Sequence, residues 1–255
     1  MTIEQVAAEL ECSVSKVSRI ETGQVGVTPR DVRDLVDLYS VNGDHKEALI
    51  QLSRDARERG WWVDYGAGIA RLDRLIGLET EAAAVLEFQL QVVPGLLQTP
   101  DYARAIFHEL VPEMPPEVVE EHVELRMARQ RKMAEAPVPR LDYILDEGVL
   151  HRHIGGTDVM RGQLKHLIER GARPNTSVRM LPFSQGAHGM LGGFTILRFA
   201  EDLDLDVVYL ESELTDVYLE GEETARYVTA FEKLRPKALD SRGSGEFVAD
   251  LIKAM

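Results

Sequence analysis

Cysteine is nearly absent from this chain: Cys12 is the single one among 255 residues. An internal disulfide is therefore excluded, and Cys12 reads as a small apolar filler inside a helical pattern. Long hydrophobic runs are missing as well. No stretch approaches the roughly 18 apolar residues of a membrane span, and the N-terminus has no basic region leading into an apolar one. Neither a membrane anchor nor an export signal is expected, and the cytoplasm is the expected location. Internal repeats and low-complexity tracts are absent too. What is present is an ordinary globular composition, 44% hydrophobic and 28% charged, in a chain long enough for one large or two ordinary domains with a real core.

Positive charge is scarce. The 29 Lys and Arg face 43 Asp and Glu, for a net charge of −14. A simple nucleic-acid binder would carry a basic surface, so this balance counts against one. The distribution matters more. Residues 1–60 hold 8 Lys/Arg against 11 Asp/Glu, a net of −3; the other 195 residues hold 21 against 32, or −11. An acidic body repels phosphate away from a docked face and lowers non-specific affinity. Nucleic-acid binding becomes conditional.

Against that background, residues 2–21, TIEQVAAELECSVSKVSRIE, read as a helix-turn-helix. Ile3, Val6, Ala7 and Leu10 form one apolar stripe at i, i+3, i+4 and i+7, and Ala7 is small where a second helix must cross. Glu11 and Cys12 end the first helix, and Ser13 is a good N-cap for the next. In that second helix, residues 13–21, Val17 and Ile20 are spaced to face inward. Ser13, Val14, Ser15, Lys16, Ser18 and Arg19 form the outward set. Short polar groups near the N-terminus suit base edges, and the two cations suit phosphate or guanine. A plain helical hairpin with a solvated face is the competing interpretation.

The spacing beyond residue 21 predicts two more helices before a junction. Thr28 caps a helix opened by Pro29, with Val32, Leu35, Leu38 and Tyr39 as its stripe. Asn42-Gly43-Asp44 is a turn with a cap, and the next helix closes at Gly60. Residues 1–60 are thus an all-α unit of about four helices, and Trp61-Trp62 with VDYGAG marks a boundary. Residues 61–255 read as an α+β domain. Helices are expected over 70–84, from Asp101 (as cap) to Leu110, in PPEVVEEHVELRMARQRKMA, in DVMRGQLKHLIERG, from Glu222 to Leu234 and from about Gly245 to Met255. AVLEFQLQVV, TSVRMLPF, FTILRFA and DVVYLES are expected strands, and RLDYILDEGVLHRHI a strand or hairpin.

Other constellations are weak. His151 and His153 would point the same way on a strand, with His166 or His188 as imaginable partners, but HxH alone does not define a metal site. SQGAHGMLGG lacks the phosphate-loop pattern and reads as a loop between strands. Ser184 and His188 lack a nucleophile-elbow context. RMARQRKM reads as a solvated or interdomain helix face rather than a second nucleic-acid surface. No catalytic residue, metal ligand or cofactor is assigned.

The segments SKVSRIETG, RGWW, QVVPGLLQTPDYARAI, RMARQRKM, LPFSQGAHGMLGGFTILRF and VVYLESELTDVYL run through nearly the whole chain. On them the chain resembles the actinobacterial Xre-type helix-turn-helix transcriptional regulators, also described as WhiJ-like or antitoxin-like, whose C-terminal half is a domain of unknown function. The resemblance implies an N-terminal domain that binds double-stranded DNA, and a sequence-specific regulator of this kind is expected to be a homodimer reading a two-fold site. It also implies a C-terminal regulatory or partner-binding domain, paired with a small protein encoded nearby. It implies no enzymatic activity. Relatives usually carry an Arg- and Leu-rich helix ahead of the motif, Gln where this chain has Ile3, and Gly where it has Glu11. A first helix is therefore expected to be missing before Met1, through an upstream start or in a shortened paralogue. The alternative function is an antitoxin-like interaction module whose DNA-binding end is degenerate.

Overall fold

The computed structural model describes residues 1–56, 60–65, 72–190, 192–199, 206–212 and 215–255, in two compact units, Met1–Trp61 and Trp62–Met255.

The first unit is helical: α1 (Ile3–Glu9), α2 (Val14–Glu21), α3 (Pro29–Leu38) and α4 (Asp44–Asp55). Thr2, Ser13 and Thr28 cap the first three, each accepting a bond from the backbone N–H three residues on, as short hydroxyl side chains do at this position. Each of the three ends alike. The residue after the cap is left-handed (Glu11 φ 49°, Gly23 φ 67°, Ser40 φ 58°), and the following N–H reaches five residues back, as Cys12 to Ala7 at 2.9 Å. The core is thin. Val6, Ala7 and Val17 are buried against Ile3, Leu10, Cys12, Leu35 and Leu38. In α3 the buried residue is Val36, not the expected stripe member Tyr39, which is 47% exposed. Gly43 caps α4 without a side-chain bond, so the turn around Asp44 lacks the expected cap. The expected closure of that helix at Gly60 crosses residues outside those described.

The second unit is built on one mixed sheet of β1 (Ala84–Gln89), β2 (Arg140–Asp146), β3 (Thr176–Leu181), β4 (Phe194–Arg198), β5 (Asp206–Leu210) and β6 (Val217–Leu219), in the order β3-β2-β1-β4-β5-β6. The first three run parallel and the last three are antiparallel to their neighbours. Parallel neighbours need helical crossovers. These are α6 (Pro100–Leu110) and α7 (Pro116–Lys132), then α8 (Gly148–His151) and α9 (Gly156–Gly171); α5 (Asp73–Glu81) precedes the sheet, and α10 (Thr224–Leu234) and α11 (Ser241–Ala254) follow it. Both faces are covered. Val85, Leu141, Leu145 and Met180 pack with Tyr102, Leu164 and Val248 on one side; Leu86, Phe88, Ile144 and Phe194 pack with Phe231 and Leu234 on the other. Two-sided burial matches the near-continuous burial along β1, β2 and β4.

Three local expectations change, and one strand is new. RLDYILDEGVLHRHI is a strand followed by short α8, not a hairpin, because the parallel partner β3 arrives through α9. α6 is capped by Thr99 with Pro100 in its first turn, not by Asp101. α11 starts at Ser241, ahead of the expected Gly245, because Asp240 caps it by accepting from the Gly243 N–H at 2.7 Å. The three-residue β6 was too short to give a period.

Candidate nucleic-acid interface

α2 is fixed by both its ends and its inner face. Ser13 Oγ accepts from Lys16 N at 3.2 Å, and Glu11 makes the left-handed turn that lets α2 leave α1 with Val17 pointing inward. Of the six residues expected on the outer face, Ser13, Val14, Ser15 and Arg19 are exposed, while Lys16 and Ser18 are half-buried. Arg19 Nε donates to the Ser15 carbonyl at 3.3 Å, which lays the side chain along its own helix. Arg19 has no carboxylate within ion-pair distance among the described residues.

Lys16 differs from the free cation expected. Its ammonium donates to Asp31 Oδ1 of α3 at 2.6 Å. Asp31 Oδ2 accepts from Thr28 N at 3.0 Å and Thr28 Oγ1 at 2.6 Å, in the capping box of α3. The bond from Lys16, then that from Thr28, holds the Asp31 carboxyl at about 2, and the same contact raises Lys16. The partner lies 15 residues away in sequence, so no local pattern announced it. Elsewhere in the unit Tyr39 Oη donates to Glu21 at 3.0 Å, Lys46 pairs with Asp37, and Arg30 pairs with Asp34 at 3.8 Å.

In the second unit several polar side chains are buried. RMARQRKM, expected on a solvated or interdomain face, contributes Arg129, whose Nε and Nη2 donate to the two oxygens of Glu79 at 3.0 and 2.8 Å, with both side chains buried. Gln130 donates to the carbonyls of Gly95 and Gln98, Gln163 donates to Leu97 O and accepts from Thr99 N, and Gln98 donates to Val93 O. Gln130 and Gln163 thus satisfy buried backbone groups of PGLLQT, and Gln98 within it ties back to Val93, which explains how that loop lies inside the protein. Burial, followed by the charge of Glu79, pushes Glu87 on β1 up to about 7, although Gln89 donates to it.

The weak constellations stay dispersed. His151 closes α8 and bonds Glu147 at 3.2 Å, so the strand expected to align it with His153 is absent there. His188 faces Asp146 at 3.9 Å, and His166 lies on α9. Among the described residues no three His, Cys, Asp or Glu side chains are grouped to hold a metal ion, and no helix is long and apolar enough to cross a membrane. Trp62 lies over Gly77 of α5 and donates to Asp73.

Two family models match. Residues 1–49 match a model described as Helix-turn-helix domain, and residues 72–250 match one described as Domain of unknown function (DUF5753). No curated protein and no solved structure gives a match.

Proposed function

The chain belongs to the Domain of unknown function (DUF5753) family and carries a helix-turn-helix domain at its N-terminus, and from that premise we propose that it is a sequence-specific transcriptional regulator. The observation that carries the reading is the outer face of α2, where Ser13, Val14, Ser15 and Arg19 are exposed next to the left-handed turn at Glu11. Ser13, Val14, Ser15 and Ser18 would face base edges in the major groove, and Arg19 would hold phosphate or guanine. Lys16 borders the same surface but starts from its pair with Asp31. A two-fold operator would be read by a homodimer, and the larger unit would receive a regulatory input or a small partner protein encoded nearby. A DNA partner puts the chain in the cytoplasm. On this reading it acts by binding and not by catalysis, in line with the Xre-type, antitoxin-like regulators it resembles.

The test is fluorescence anisotropy of the full chain with a duplex from upstream of its own coding sequence. Arg19→Ala should weaken binding by about 1–3 kcal/mol. Absence of any binding by wild type at low salt would sink the proposal.

The net charge of −3 over residues 1–60 favours a second reading, an antitoxin-like interaction module whose DNA-binding end is degenerate. Co-purification of the neighbouring gene product with residues 61–255 alone, and no DNA binding by the full chain, would decide for it.

A further inference from the structure

Resting on the reading of α2 as the DNA-facing helix, we infer that Asp31 is a built-in neutralising partner that withholds Lys16 from the phosphate backbone, leaving Arg19 as the cation that α2 offers to DNA. Sequence alone gives this helix two cations and no acid between Cys12 and Ile20. The fold supplies the acid from α3.

Three facts make the pair a fixture rather than a passing contact. The ammonium is 2.6 Å from Asp31 Oδ1. The other oxygen is held by the Thr28 N–H and hydroxyl, so the carboxylate cannot rotate away without opening the capping box of α3. The Asp31 side chain is 19% exposed against 44% for Lys16, so the acid is the anchored member and the lysine the one drawn to it. If Lys16 left for a phosphate, it would strand a carboxylate beside a polyanion. That repulsion opposes the very contact the lysine would make. The other nearby charges do not relieve it, since Arg30 pairs with Asp34 and Arg19 lies along α2 toward Ser15. The pair contributes no net charge to the interface.

Counterion release turns this into a count. Each cation that neutralises a phosphate adds about 0.9 to the steepness of log K against log salt. The experiment titrates full-length protein with a random-sequence duplex over a salt series, with circular dichroism to check folding. Arg19→Gln should lower the slope by about 0.9 per protomer, whereas Lys16→Gln should change it by less than about 0.3. Asp31→Asn keeps an acceptor for the Thr28 N–H but removes the charge. It should steepen the slope by about 0.9 and tighten low-salt binding severalfold, and adding Lys16→Gln should cancel both gains. If Asp31→Asn fails to fold, the comparison of Lys16→Gln with Arg19→Gln decides alone. A loss of slope in Lys16→Gln equal to that in Arg19→Gln overturns the inference and leaves the DNA-binding reading standing. Absence of binding by wild type removes that reading, and the inference with it.

Discussion

In the N-terminal unit the buried hydrophobic residues are Val6, Ala7, Val17 and Val36; in the C-terminal unit apolar side chains line both faces of a six-stranded sheet. The treatment of charge follows from that difference. Among the described residues the small unit keeps its ion pairs at the surface, Lys16–Asp31 anchored through the capping box of α3 and Arg30–Asp34 open to salt. The large unit has enough buried apolar surface to enclose Glu79–Arg129 and Glu87. Arg19, exposed and without a carboxylate within ion-pair distance among the described residues, can meet a polyanion; enclosed charge cannot. On the proposed reading DNA contact falls to the first unit, while the enclosed Glu79–Arg129 pair specifies the packing of the second.

The largest test of that contrast is Arg129→Ala. It leaves Glu79 buried without its partner and should destabilise the second unit by roughly 3–5 kcal/mol in urea unfolding, whereas Glu79→Leu/Arg129→Met should recover most of the loss. Arg30→Ala, by contrast, should scarcely register. A small effect of Arg129→Ala would mean that the pair is not enclosed.

Acidity should move the two units in opposite directions. Glu87 is raised from 4.5 to about 7, so the folded state keeps a proton that the unfolded chain has released. The second unit should therefore lose on the order of 3 kcal/mol as pH rises from about 4.5 to 7, and Glu87→Gln should flatten the dependence. Asp31 is lowered from 3.8 to about 2, so its contribution to the first unit is present above pH 4 and lost as pH falls toward 2. Unfolding midpoints followed by probes in each unit across pH 2–8 check both signs.

Within the first unit, Val17→Ala should cost about 2 kcal/mol, a large share of what so thin a core can supply. The smallest expected effect is at the turn. Glu11 holds φ 49° with a side chain, so Glu11→Gly should stabilise the unit by up to about 1 kcal/mol in a thermal melt. Destabilisation there would show that the Glu11 side chain makes a contribution its backbone strain conceals.

The helical unit was legible because its signals are local. Ser13 and Thr28 as caps and the inward Val6, Ala7 and Val17 follow from residues within one turn of each other, whereas the left-handed turn at Glu11 was signalled by the Gly that relatives carry there. Most helices and strands of the second unit were legible for the same reason, their periods being set within each segment. The Lys16–Asp31 pair, the Glu79–Arg129 pair and the glutamines around PGLLQT were not. Each joins segments that the fold brings together, 15 to 66 residues apart, and leaves no periodicity to detect. RMARQRKM misled because a run of cations looks solvated until its acid is placed. Asp101 misled because Thr99 followed by Pro100 is the stronger helix start, with the hydroxyl cap and the fixed φ acting together.

The central claim, that DNA is met by α2 of the small unit, is tested most directly by amide hydrogen exchange of the full chain with and without the duplex from upstream of its coding sequence. Slowed exchange over residues 13–24, with residues 84–89 and 140–146 unchanged, is the result expected. Protection confined to residues 62–255, with 13–24 exchanging as in the free protein, would contradict it.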